Sequence, residues 1–455
     1  MKSRFVAWLI FLMPFILEAQ VYTKEQLQTD FSFLISNIKT YNPALYKYNK
    51  AFDEQVANLT ANLPEEANSF QHLSLVYRLV ALANEGHFGV GFWQDSVHSG
   101  ILDGRYQYLP VSVEVLNGKV YVWSDLSDNP ELVRGDEIIS INGDPIAAIL
   151  EKLNAHLFSD GDIVSSKYRT LSNVFPAFYY LLIDQPKSFK IVAKDKSGKE
   201  KEVLKTAIDR NRMIENAKAS QSKQTSKPKA VENEIYDFNV EGKSAYLKLK
   251  TFNRAKLKSA KIKAKSFYKM IFKELSDKAV KALTLDLRGN SGGRTEYSDV
   301  LVSYVLDENM DGYHKKTVSW EGKTRTYGIP KKKKKAFNGG IFVLIDGGTF
   351  SAASIIARNI REYHDDTVIV GEESAGRYEG FAAGSSQTVY LPESNLRINI
   401  PRYLIELPVP KKEYQSNRGV IPDHPITYTI EDVIEQRDKA MNLTKQLTIK
   451  YLNGN

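Results

Sequence analysis

From residue 244 to residue 373 short apolar runs alternate with amphipathic stretches, and this alternation leaves few folds open. SAYLKLKTF reads as a strand, Ala255 to Leu275 as a lysine-studded helix, ALTLDLRG as a buried strand and Glu296 to Leu306 as a second helix. IFVLID is the next buried strand, AASIIARNIREY the helix that follows it, and TVIVGEE a further strand. Strands that alternate with helices imply right-handed crossovers and a sheet covered on both faces, so the expected class is α/β. A hairpin from Gln387 to Leu407 turns at PESN, and no internal repeat is visible.

The preceding residues have other periods. Thr23 and Gln26 spell a capping box ahead of Leu27, Phe31, Leu34 and Ile38 at helical spacing. A second helical stretch runs from Phe70 to Asn84, with Leu73, Val76, Tyr77 and Val80 on one face and Gly86 as a stop before His87. Residues 20–100 are therefore expected to form a helical unit. From Tyr106 the period becomes two: YLPVSVEVL and GKVYVW flank Asn117 and Gly118 as a hairpin turn. LVRGDEIISINGDPI, Leu132 to Ile146, gives a turn at Arg134 and Gly135, a strand from Glu137 to Ile141 and a turn at Asn142 and Gly143. Its spelling resembles the PDZ signature. With SFKIVAK and a helix near Ile149 to Leu157, the resemblance implies a PDZ-like β-rich module over 101–210, enlarged by an insertion around Ser159 to Leu182. Polar, lysine-rich AKASQSKQTSKPKA makes 211–232 a linker, 233–430 the α/β core and 431–455 a helical tail.

The bulk numbers bound the function. A chain of 455 residues is ample for two to four domains. Lys2 and Arg4 precede an apolar run from Phe5 to Leu17, with Ala19 as a small residue for cleavage near Gln20, so 1–19 reads as a secretory signal peptide and the destination as periplasmic or secreted. The other reading of that segment is an uncleaved anchor. No later segment is apolar enough to cross a membrane, so no stable membrane insertion is expected after signal cleavage. With no cysteine there is no disulfide, and stability must come from packing. The net charge of +8 falls to about +7 without Lys2, Arg4 and Glu18. The run Lys331 to Lys335 reads as a solvated loop, and without a base-stacking motif no nucleic-acid partner is expected.

Three patches fall at strand ends, where open sheets place their sites. DLRGNSGG, Asp286 to Gly293, carries Gly289, Gly292 and Gly293, whose N–H groups suit either a tight turn or an anion site. GGTFSAAS, Gly347 to Ser354, sets Ser351 at a strand-to-helix junction, either as an ordinary N-cap or as a nucleophile beside unpaired helical N–H groups. GEESAG, Gly371 to Gly376, closes the next strand. In this order, and with RGVIPDHPI from Arg418 to Ile426 downstream, they resemble the serine peptidase family of the C-terminal processing (tail-specific) peptidases and the tricorn protease core. The resemblance covers roughly residues 100 to 430 and implies a crotonase-like peptidase core.

Carried over residue by residue, it makes Ser351 the nucleophile and Ala352 an oxyanion-hole N–H donor, with Gly292 or Gly293 as the other. The processing branch has a lysine base where Arg377 stands, and an arginine does not release its proton at ordinary pH. The tricorn-like branch draws a histidine from far upstream, often in D-G-H-T. ANEGHFGV makes His87 that general base, although a lone histidine at a helix end is also an ordinary cap or surface residue. Its orienting acid is expected to be Glu373, with Glu372, Glu413 and Ser416 nearby in the pattern. Ser354 replaces the glutamate of S-A-x-E. No zinc spacing appears, and neither a metal nor a cofactor is expected. The expected function is an exported serine peptidase acting on proteins or peptides presented by the PDZ-like module. The alternatives are a catalytically decayed relative that binds peptides or serves as a scaffold, and a crotonase-like enzyme acting on thioesters.

Overall fold

The computed structural model describes residues 20–91, 104–222, 234–306, 315–327 and 332–454. The expected signal peptide, 1–19, and residues 223–232 of the expected linker lie outside the described residues.

The chain opens on α1 (Lys24–Tyr41), where the Thr23 hydroxyl accepts from the Gln26 N–H and the Gln26 side chain accepts from the Thr23 N–H. Leu27, Phe31, Leu34 and Ile38 are buried, as their spacing requires. A second capping box, Asn68 with Gln71, starts α2 (Ser69–Ala81).

Next come β1 (Val111–Leu116) and β2 (Lys119–Asp125), joined through Asn117 at φ 52° and Gly118 at φ 77°. Both residues are left-handed, as a two-residue hairpin turn of primed type demands. The module continues with β3 (Glu137–Ile141), α3 (Ile146–Asn154), α4 (Ser165–Leu182), β4 (Ser188–Lys194) and β5 (Glu200–Thr206). The strands form an antiparallel sheet in the order β5-β4-β3-β2-β1, with α4 packed along β1. The expected linker differs from the structure in its first part: α5 (Arg210–Ser222) is helical because the Asp209 carboxylate accepts from the N–H groups of Asn211 and Arg212.

The core contains β6 (Tyr236–Glu241), β7 (Ser244–Leu249), α6 (Ala264–Asp277), β8 (Ala282–Asp286), α7 (Thr295–Val305), β9 (Gly340–Ile345), α8 (Ala352–Tyr363) and β10 (Thr367–Gly371). Its sheet runs β6-β7-β8-β9-β10 and ends on His424–Pro425; β6 and β7 are antiparallel and the remaining pairs parallel. Every residue of β8 and β9 is buried, which suits central strands covered on both faces. Ile341, Val343 and Ile345 pack with α6, α7 and α8, while Leu344 packs with the C-terminal helix described below. The helix expected over Ala255 to Leu275 is broken, with a short piece Arg254–Ser259 and a left-handed Lys261 ahead of α6.

The hairpin β11 (Gly380–Tyr390) and β12 (Arg397–Glu406) belongs to a separate sheet, and α9 (Lys439–Gly454) closes the chain. The residues that follow His87, Gly89–Gly91, pair antiparallel with β12. One apolar cluster takes in Phe31, Val76, Leu150, Phe175 and Ile398, so the helical unit, the β-rich module and the hairpin share a core.

Candidate active site

The loop after β8 meets the β9–α8 junction, and Gly292 makes the meeting possible. A Cβ on Gly292 would lie 2.7 Å from the Phe350 carbonyl oxygen and the Ser351 Cβ, and 2.8 Å from the Ala352 nitrogen. Asn290, fully buried, ties the loop down: its amide donates to the Leu249 carbonyl, its side-chain oxygen accepts from the Gly292 N–H, and its carbonyl accepts from the Phe350 N–H.

Ser351 is half-buried, with φ 54° and ψ −121°. An N-cap serine has extended backbone and accepts an N–H from the first helical turn. Ser351 does neither, so its role as an ordinary cap does not hold. The conformation costs a serine roughly 1–3 kcal/mol, a strain that the surrounding structure must hold in place.

The expected oxyanion donors divide. The Gly292 N–H is engaged by Asn290, so this residue supplies close approach and not a donor. Phe252 bridges the loop by donating to the Gly292 carbonyl and accepting from the Arg294 N–H, which leaves the Gly293 N–H outside that bridge. Gly293 and Ala352 each keep an N–H with no acceptor among the described residues, on either side of the contact with Ser351.

His87 reaches this junction. Its ring stacks on Phe350, with centroids 4.4 Å apart, and on Phe381, at 5.1 Å. Both ring nitrogens are buried without a hydrogen-bond partner. Burial lowers the imidazole pKa below its ordinary value, and Asp160 partly opposes the shift. The ring is thus held neutral beside the residue preceding Ser351, with no hydrogen bond to the serine.

Glu373 does not orient that ring. Its carboxylate accepts two bonds from Arg418, at 2.8 and 2.7 Å, and one from the Gly419 N–H. That arrangement seats the RGVIPD segment, whose Asp423 accepts from the Ile369 N–H. Ser416 donates to Glu379, and Glu413 is exposed. The acid close to His87 is Asp160, in the segment between α3 and α4, and the sequence offers no motif that would single it out.

The two departures from the family pattern have structural partners. Arg377 is fully buried and pairs with Glu85 at 2.9 Å. The Ser354 hydroxyl donates to the Thr349 carbonyl and accepts from the Gly376 N–H. Between the β-rich module and the core lies a crevice of 710 Å³ lined by Glu114, Tyr168 and Arg169 on one side and Asp346, Glu372 and Glu373 on the other. Burial raises the carboxyls of Glu114 and Glu372. The edge of β1 facing it is not open, because the Val115 N–H donates to Ser172 of α4 at 2.9 Å.

Residues 243–426 match the model of peptidase family S41. Over this segment, about two fifths of its length, the chain is similar to peptidase family S41. A stretch of 186 residues is 27% identical to the chloroplastic carboxyl-terminal-processing peptidase 2 of Arabidopsis thaliana, covering 40% of this chain and 32% of that protein. The chain therefore spans about a third of the length of that curated relative. The fold is similar to mature CPAF, with TM-score 0.64 and 14% identity over 95% of this chain and 98% of that one. Mature CPAF complexed with lactacystin matches equally, at TM-score 0.64 and 15% identity over 95% and 99%. The S41 segment contains the Gly292 loop, Ser351 and the Glu373–Arg418 pair; His87 and Asp160 lie upstream of it.

Proposed function

We propose that the chain is an exported serine peptidase that cleaves peptide bonds of proteins or peptides. Ser351 Oγ attacks the scissile carbonyl, His87 takes its proton and later returns it to the leaving amine, and the Gly293 and Ala352 N–H groups hold the oxyanion. The observation that carries this reading is the left-handed serine pressed against Gly292 at a helix start, with a neutral imidazole beside it. Hydrogen bonds in a free enzyme are often loose and tighten with substrate, so His87 needs only to bring a ring nitrogen within reach of Oγ.

The β-rich module acts as a PDZ-like unit that presents peptide to Ser351, a reading supported by its signature spelling and by a crevice against the core whose lining includes Gly289 and Asp346, at the foot of the loops that carry Gly292 and Ser351. Strand addition at β1 requires α4 to withdraw and free the Val115 N–H. The signal at 1–19 directs the chain out of the cytoplasm, and N-terminal sequencing of the protein recovered from its native cell checks cleavage near Gln20.

The second reading, a decayed peptide-binding relative, is favoured by the clamped histidine with unpartnered nitrogens. A fluorophosphonate probe decides between them. Labelling of the wild type that disappears in Ser351→Ala supports the peptidase; a folded wild type that resists the probe and leaves peptides uncut supports the binder.

A further inference from the structure

Three ionisable side chains are buried together just behind the histidine, and packing alone gives no reason for them. Asp160, Glu85 and Arg377 are each at most 1% exposed. Burying charge carries a desolvation penalty that apolar side chains of similar volume avoid. These three instead grip the consecutive residues that lead into His87. Arg377 Nη2 donates to the Asn84 carbonyl at 2.6 Å, and Nη1 donates to Glu85 Oε1 at 2.9 Å. Glu85 Oε2 accepts from the Ala382 N–H on β11, and Asp160 Oδ1 accepts from the Gly86 N–H, both at 2.7 Å. The Gly161 N–H adds a bond to the Asn84 carbonyl, and Asn84 is left-handed at φ 58°. The Arg377 guanidinium also lies 3.9 Å over the Tyr48 ring, which fixes its plane.

We propose that Asp160, Arg377 and Glu85 form the positioning apparatus of His87, with Asp160 as the charge that stabilises the imidazolium formed when Ser351 gives up its proton. The proposal rests on the peptidase reading for the role of His87, and it assigns Arg377 a function at the place where the processing branch has its base. The faces of the imidazole are covered by Phe350 and Phe381, so neither offers it a compensating carboxylate. Asp160 supplies the favourable charge, while Arg377 and Glu85 stand behind it as a fixed pair. None of the three touches the reacting atoms; each acts through the loop that carries the histidine.

Asp160→Asn tests this in the full chain, because asparagine keeps an acceptor for the Gly86 N–H and removes the charge, at the loss of only the long 3.5 Å bond from the Arg377 N–H to Oδ2. At saturating fluorophosphonate the rate of Ser351 labelling falls roughly tenfold, while the half-saturating concentration is unchanged. Loss of a nearby negative charge makes the imidazolium harder to form, so the His87 midpoint, followed by NMR of histidine-labelled protein with His87→Gln to assign the signal, drops by about one pH unit. Arg377→Lys, which retains charge but not the fork, lowers the labelling rate and leaves the midpoint near wild type. A folded Asp160→Asn protein with unchanged midpoint and labelling rate overturns the proposal. A shifted midpoint in a chain whose wild type is never labelled sinks the peptidase reading and leaves the positioning of His87 standing.

Discussion

Ser351 holds a backbone conformation that the surrounding loops must enforce, and Gly292 is the residue that lets them do so. Gly292→Ala drives a methyl group into the Phe350 carbonyl and the serine itself. It is expected to cut probe labelling of Ser351 by at least about a hundredfold, since small displacements of positioned groups carry losses of that size. Labelling within twofold of wild type would mean that the loop yields freely. His87→Ala is expected to lower peptide turnover by about 10²–10⁴, the range for a lost general base. Burial disfavours the charged imidazole, so its folded pKa lies below the ordinary value and the base stays neutral as the pH falls through that value. Activity then persists on the acid side of about pH 6.5, and a pH–rate profile whose acid limb sits above it would contradict the burial of this ring. The junction at Ser351 and its glycine loop are legible in the sequence because motif and junction geometry are local. Asp160 is not, because it reaches the site through the tertiary packing of an inserted segment. The pattern points to Glu373 wrongly as the orienting acid, because the partner of that carboxylate, Arg418, stands 45 positions later.

The loop that carries His87 is fastened at both ends: residues 84–86 by the buried ion pair and its neighbours, and Gly89–Gly91 by pairing with β12. The β11–β12 hairpin is in turn pinned at its tip by Asp30 on α1, whose carboxylate accepts from the Glu393 N–H, the Ser394 N–H and the Ser394 hydroxyl, with His72 alongside at 3.3 Å. Asp30→Ala leaves those buried donors without an acceptor and is expected to cost about 3–5 kcal/mol. Thermal melts would show it, and a variant within about 1 kcal/mol of wild type would show that the tip relaxes onto other acceptors. The hairpin itself is readable from PESN, as is β1–β2 from Asn117 and Gly118, because such turns are set by residues with left-handed tolerance. The contact between α1 and the hairpin tip is not readable, since more than 360 residues separate the partners. The helix Arg210–Ser222 is hidden by polar composition, although Asp209 is present as its cap.

At the scale of the whole molecule the expected units are not independent bodies, and one histidine reports on their joint. His156, at the end of α3, contacts the Ser74 hydroxyl on α2 through Nε2 at 2.7 Å and the Lys152 carbonyl through Nδ1. The carbonyl can only accept, so Nδ1 carries the proton and Nε2 accepts from Ser74. Burial pushes this imidazole down to about 4. In the unfolded chain it titrates near the ordinary histidine value, so between about pH 6.5 and pH 4 the unfolded state binds the extra proton and the folded state resists it. The stabilisation is therefore complete above about pH 6.5 and lost as the pH falls toward 4, by about 3 kcal/mol for this residue. His72 and His87 are lowered by burial as well and add to the loss. Other groups titrate over the same interval, so the decisive quantity is a difference between two proteins. His156→Gln keeps an acceptor for Ser74 and removes the titration. Urea denaturation at several pH values should give a wild-type curve that falls toward the variant's by about 3 kcal/mol as the pH drops from 6.5 to 4. Parallel curves would show that the joint between α2 and the β-rich module is open to solvent in solution, and that the helical unit moves independently of the module it is packed against here.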